Sequence, residues 1–132
     1  MTRVFGWITS FVLAFSCCAL NPAACFSQTE TQIAAQIAER NNWKAEVRCW
    51  DGSRVDLVTP THVIEVDWSR KHAEAVGQSL YYEIAYEATT GKHLKPAILL
   101  LVRDMTAERK YIFRAQAVCA KHDILLIIER VE

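Results

Sequence analysis

Two short runs decide how this chain is read: Arg54-Val55-Asp56-Leu57-Val58 and, after the turn Thr59-Pro60-Thr61, His62-Val63-Ile64-Glu65-Val66-Asp67. In both, aliphatic and β-branched residues alternate with polar ones, the period of a strand covered on one face. Residues two apart share a face, so Glu65 and Asp67 point together while Ile64 and Val66 point to the other side. The same period sets Asp56 opposite Val55 and Leu57, and a hairpin brings Asp56 within reach of Glu65 across the ladder. Upstream, Lys44 to Trp50 alternates as well, Ala45, Val47 and Cys49 on one side and Glu46, Arg48 and Trp50 on the other, with Asp51-Gly52 as the turn into Arg54. The three strands make an antiparallel meander.

Helical patterns flank it. Before the meander, Thr29 and Gln32 form a capping-box pair ahead of Ile33, Ala34, Ile37 and Ala38, and the helix should stop near Asn41-Asn42. After it, the spacing predicts a long helix from about Ser69 to Thr89 with Ala73, Val76, Gly77, Leu80 and Ile84 as its apolar stripe. Beyond a polar loop from Gly91 to Pro96, the unbroken run Ala97 to Val102 predicts a strand buried on both faces. A helix over Ala107 to Lys121 and a last buried strand over Ile124 to Ile128 complete the order α-β-β-β-α-β-α-β. That order predicts an α/β domain, one mixed sheet flanked by helices.

At 132 residues, 52% hydrophobic and 23% charged, the chain is an ordered globular one with room for a single domain. Residues 1 to 27 differ from the rest: Arg3 is their only charge, Val4 to Leu20 is largely apolar, and small residues follow, the pattern of a secretory leader. Cleavage is expected near Ser27-Gln28, leaving residues 28 to 132 as an exported, periplasmic or secreted bacterial domain; an uncleaved leader would be a membrane anchor, and Cys25 leaves a lipoprotein-type alternative. Of five cysteines, Cys17, Cys18 and Cys25 fall in the leader. Cys49 and Cys119 remain, either paired in an oxidising compartment or buried as two free thiols. Neither has a second Cys or His at metal-ligand spacing. Without Arg3 the 15 cations become 14, against 15 acids, so overall charge offers no attraction for nucleic acid and only a local basic surface would supply one.

Three carboxylates converging without a cation repel and gain proton affinity, unless a divalent metal neutralises them. Oxygen ligands of this kind select a hard cation, Mg²⁺ or Mn²⁺. On the long helix, Lys71, Gln78 and Tyr82 fall within one polar stripe. Lys71 is one turn beyond Asp67, and Gln78 lies about 10 Å further along the axis, a track suited to an extended anionic substrate. Bland readings stand beside these: Asp56 and Glu65 as solvated charges paired with Arg54 or Arg48, Glu46 as a further such partner, and Tyr81, Tyr82 and Tyr86 as helix packing.

The run Gly52 to Asp56, then Glu65-Val66-Asp67, then Gln78-Ser79-Leu80-Tyr81-Tyr82 resembles the Asp, Glu-x-Lys and Gln-xxx-Tyr motifs of the RecB-like branch of the PD-(D/E)XK nucleases, over about Ile33 to Val102. The resemblance implies a restriction endonuclease-like αβββαβ core and metal-dependent hydrolysis of nucleic acid. It implies Asp56 and Glu65 at one or two Mg²⁺, with the Val66 carbonyl as a further ligand, and Gln78 and Tyr82 positioning the substrate backbone or bracing the site; Asp67 is a third metal candidate on the strand-face geometry alone. Asp67 departs from the family by standing where its Lys would be; Lys71 is the candidate to replace that charge. The alternative is a catalytically inactive module of the same fold that binds nucleic acid or a protein partner.

Overall fold

The computed structural model describes residues 28–132, and the leader expected over residues 1 to 27 lies outside the described residues. Helix α1 spans Glu30–Asn41. Its start is the expected capping box: the Gln32 N–H donates to Thr29 Oγ1 at 3.2 Å and the Thr29 N–H donates to Gln32 Oε1 at 2.9 Å. It ends where Asn42 turns left-handed, φ 56°, a conformation a short polar side chain tolerates.

Five strands follow, β1 Lys44–Arg48, β2 Arg54–Val58, β3 His62–Trp68, β4 Lys95–Val102 and β5 Leu125–Arg130, with α2 (His72–Thr90) between β3 and β4 and α3 (Arg109–His122) between β4 and β5. They form one sheet in the order β1-β2-β3-β4-β5, antiparallel from β1 to β3 and parallel from β3 to β5. This is the mixed sheet expected: hairpins pair antiparallel neighbours, and each helical crossover returns the chain parallel. Helix α1 covers one face, packing on Leu57, Ile64, Val66, Ala97, Leu99 and Leu101. The other face is covered by α2, on Val55, Val58 and Val63, and jointly by α2 and α3 on Ile98 and Leu100. Strand β4 is buried from Pro96 to Val102, so its apolar run lies between both helical layers. At about 1.5–3 kcal/mol per buried large aliphatic side chain, it is the strand on which the core depends most.

Four expectations are corrected. Strand β1 stops at Arg48, leaving Cys49 and Trp50 in the turn, because Asp51 accepts from both the N–H and the hydroxyl of Ser53 and the Cys49 N–H closes on the Ser53 carbonyl. In α2 the buried line is Ala75, Ser79, Tyr82, Ala85 and Tyr86, and Ile84 is 65% exposed. Of the expected stripe, Val76 and Leu80 pack on the core partly buried, while Ala73 and Gly77 are exposed like Ile84. Small Ala75, Ser79 and Ala85 let the helix settle close to the sheet, and Ser79 satisfies its hydroxyl internally, donating to the Val76 carbonyl at 2.9 Å. Helix α3 begins two residues late, at Arg109, because Asp104 first gathers the N–H groups of Thr106 and Ala107 into a turn. Strand β5 pairs only with β4 and is half-exposed, an edge instead of a buried strand. Among the described residues no helix is long and apolar enough to cross a membrane. Cys49 and Cys119 are both buried and free, in separate clusters.

Candidate active site

The site begins with a fault in the meander. Val55 packs under α2, whereas Leu57, two residues on, packs under α1. A regular strand would put both on one face, so β2 rotates at Asp56. Strand β1 rotates with it: Glu46, between the partners Ala45↔Leu57 and Val47↔Val55, has φ 50°. Left-handed backbone at a non-glycine costs about 1–2 kcal/mol. The Glu46 side chain pairs with Arg54 at 3.1 Å, the solvated partnership expected of it.

The β2–β3 ladder is registered at Leu57↔Ile64 and Val58↔Val63. One step on, the Val66 N–H donates 2.9 Å to Oδ2 of Asp56. A side chain has taken the bond a strand backbone would accept, which fixes one carboxylate between the two strands. Burial raises the Asp56 proton affinity, partly offset by the Val66 N–H and by a hydrogen bond with Glu65.

Glu65 lies beside it, 5% exposed, facing α2. Its Oε2 is buried without a hydrogen-bond partner. Burial, then the Asp56 charge and the hydrogen bond to Asp56, push the Glu65 carboxyl up to about 9, against a lowering by Tyr82. At neutral pH the Asp56–Glu65 pair therefore holds a proton, and among the described residues no cation pairs with either carboxyl. Glu65 is buried and Asp56 half-buried, and among the described residues neither forms an ion pair with Arg54 or Arg48, so the solvated-charge reading does not describe them. Tyr82, buried under α2, has its hydroxyl raised above the ordinary phenol range by burial and by the charges of Glu65 and Asp56, so it remains a neutral donor. It reaches Gln78 Oε1 at 3.5 Å.

Asp67 sits on the same side of β3 but turns another way. Its Oδ1 accepts from the Trp68 N–H at 2.8 Å and lies 3.3 Å from Lys71 Nζ. Burial lifts its carboxyl to about 6, with the Trp68 N–H and Lys71 opposing and Glu30 adding to the rise. Lys71 belongs to a 3-10 turn, Ser69–Lys71, which joins β3 to α2 and bends the side chain back over Asp67. Its ammonium also meets Glu30 Oε1 at 3.2 Å.

Asp56, Glu65, Asp67, Lys71, Gln78 and Tyr82 thus all line one cleft of about 190 Å³. Within it the expected convergence of three carboxylates is a touching pair, Asp56 and Glu65, plus a neighbour held by Lys71. Among the described residues no group of three or more His, Cys, Asp or Glu forms a ready-made metal site. Glu30 and Glu74 also reach the cleft. Glu30 escapes sequence reading because an acid in the first turn of a helix already has an explanation in the helix dipole.

Chemically the cleft offers an orphaned carboxylate oxygen beside a second carboxylate, a neutral phenol and an ammonium at the rim. The first two fit a hard divalent cation, which would satisfy Oε2 and offset the repulsion that now retains a proton. Compared with family models, curated proteins and solved structures, the chain finds no match in any of the three.

Proposed function

We propose that this cleft hydrolyses phosphodiester bonds of nucleic acid with Mg²⁺ or Mn²⁺, in a domain of the PD-(D/E)XK, restriction endonuclease-like type. The observation that carries the reading is the unpartnered Oε2 of Glu65 against Asp56. Two carboxylates buried together without a cation are destabilising, and a site that keeps them has a use for the charge. The metal, when bound, lowers the pKa of a water and offsets phosphate charge. Asp56 and Glu65 would hold it. Tyr82 and Gln78 orient the substrate backbone as neutral hydrogen-bonding groups. Lys71 brings to the rim the positive charge that Asp67 denies the strand, within 3.3 Å of that Asp. The leader expected over residues 1 to 27 would put this activity outside the cytoplasm.

One observation favours a second reading, an inactive module of the same fold that binds nucleic acid or a protein partner. The Lys71 ammonium is shared by Glu30 and Asp67, and an ammonium so engaged supports a water-orienting role less well. The readings part on labelled single- and double-stranded substrates with Mg²⁺ and with Mn²⁺, comparing the wild type with Glu65→Ala and Lys71→Ala. The nuclease reading expects metal-dependent cleavage lost in Glu65→Ala and reduced at least about 100-fold in Lys71→Ala, of the size that removing a general acid–base group produces. Calorimetry with the same ions reads the site directly. Absence of metal affinity in the wild type, or affinity undiminished in Asp56→Ala, would sink the metal-centred reading.

A further inference from the structure

Next to the acidic cleft, and sharing Lys71 with it, is a second hollow of about 330 Å³ lined by Trp68, Arg70, Lys71, Arg103 and Glu108. It sits where the parallel strands β3 and β4 end, the edge at which open α/β sheets receive ligands. Trp68 is the last residue of β3, and the Arg103 guanidinium lies 4.4 Å from its ring centroid. The guanidinium thus lies over the ring face in a cation–π contact. Beneath, Glu108 is occupied with the backbone: the N–H groups of Arg103 and Asp104 each donate to its Oε1 at 3.1 Å, and the Ser69 hydroxyl donates to Oε2. Burial would raise the Glu108 proton affinity, but those hydrogen bonds outweigh it and keep the carboxyl ionised. That carboxylate anchors the loop after β4 and holds Arg103 in place over Trp68.

The chain from residue 28 onward carries 14 cations against 15 acids, so no general field draws in a polyanion. The charges are instead sorted. Acids predominate in the cleft, and in the hollow beside it Arg70, Arg103 and Lys71, the last shared with the cleft acids, outnumber the single carboxylate of Glu108. Trp68 is half-buried against the core with the exposed Arg103 guanidinium over its ring. Cations beside such a surface recognise two things at once, a phosphate and the face of a base, which a base offers only when unpaired.

We propose that the Trp68–Arg70–Arg103 hollow binds an unpaired nucleotide of the substrate strand, with its phosphate on Arg70 and Arg103 and its base on the Trp68–Arg103 pair. The proposal rests on the nuclease reading of the neighbouring cleft for the identity of the strand, and adds that the substrate is single-stranded, or is frayed at this point.

The test is fluorescence anisotropy of the full chain with a labelled 12-nucleotide single strand and with a blunt duplex of the same sequence, in EDTA and in Mg²⁺, over a salt series. The single strand should bind at least about 10-fold more tightly than the duplex, the size of one stacked base. Arg70→Ala should weaken both ligands and lower the salt slope by about one. Arg103→Ala should also abolish the preference for the single strand, whereas Arg103→Lys, which keeps the charge but not the plane, should restore the salt slope and not the preference. Equal binding of single strand and duplex by the wild type, or wild-type binding by Arg70→Ala and Arg103→Ala together, overturns the proposal. Asp56→Asn separates it from the nuclease reading. If that variant and the wild type bind the single strand alike but neither cleaves, the hollow stands and the nuclease reading falls; if the wild type cleaves while the arginine variants bind and cleave unchanged, the reverse holds.

Discussion

Replacing Glu65 by Gln should stabilise the metal-free protein, by an amount that grows with pH. The carboxyl titrates near 4.5 in an unfolded chain and near 9 in the native one. Between these values the native state holds a proton that the unfolded state has released, so stability falls as pH rises, by up to about 1.4 kcal/mol per unit. Carried from 4.5 to neutral pH, that slope removes about 3 kcal/mol, a large share of the 5–15 kcal/mol by which domains are stable. Gln is the isostere of the protonated acid. Its amide can donate to Asp56 as the shared proton does, and it carries no charge to desolvate.

Urea denaturation from pH 5 to pH 8.5 in EDTA measures this directly. The variant and the wild type should be nearly equal at pH 5 and should separate steadily above it, with the variant more stable by roughly 3 kcal/mol at pH 7. Saturating Mg²⁺ should narrow the gap, because a ligand bound only by the native wild type stabilises it by mass action. Parallel curves for the two proteins, or a variant less stable at pH 8, would refute the argument that Glu65 is buried without compensation.

Lys71→Ala removes the cation that opposes the rise of the Asp67 carboxyl, which already titrates near 6. Stability should fall by about 1 kcal/mol or less at pH 7.5, since the ammonium is half-exposed and screened, and the difference should shrink near pH 5, where Asp67 is protonated and only the exposed pair with Glu30 remains. In α2, Ser79→Leu should cost about 1–3 kcal/mol by overpacking the helix against the sheet, while Ile84→Ser, at an exposed position, should stay within about 0.5 kcal/mol; denaturant midpoints compare the two. Peptide mapping after alkylation should find Cys49 and Cys119 both reduced, unreactive in the folded protein and labelled only after denaturation, because each is enclosed in its own cluster and burial pushes the Cys119 thiol up. A disulfide-linked peptide pair would contradict the fold as described.

Local chemistry explains what the sequence made legible. The capping box at Thr29, the unbroken apolar run of β4 and the alternation in β3 each depend on neighbours a few residues away, so their elements and the order of the sheet could be read directly. The stripe of α2 could be read only in part, Val76 and Leu80 packing on the core and Ile84 not. Hydropathy ranks Ile84 above Ser79, but distance to the sheet is set by the smallest side chains on the helix, and those are Ala75, Ser79 and Ala85. The candidate site was legible in its membership and not in its wiring. Spacing put Glu65 beside Asp67 on one strand face, yet Asp67 answers to Lys71 and its own chain while Glu65 answers to Asp56. The hollow at Trp68 and Arg103 was hidden because its members come from the ends of two strands joined only through the sheet.

Three costs fall at one level of the sheet. Glu46 adopts a left-handed backbone, β2 changes face between Val55 and Leu57, and Glu65 is left with an unanswered oxygen. Each follows from the one before. Rotating the β1–β2 hairpin at Glu46 turns Asp56 out of the regular pleat, which lets its carboxylate take the Val66 N–H, and a carboxylate fixed there stands against Glu65. A meander without the fault would pair Asp56 and Glu65 as ordinary cross-strand neighbours, with backbone bonding to backbone between them. Strain of this kind persists only where the surrounding fold overrides it, and it gathers where a charge must be kept available. The core supplies that override, since β4 is buried along nearly its whole length two strands from β2 and directly beside Glu65 on β3. If the proposed cation binds at Glu65, the stability lost around that carboxylate and the affinity for the ion have one electrostatic origin, and a substitution that restores the first, such as Glu65→Gln, should lower the second.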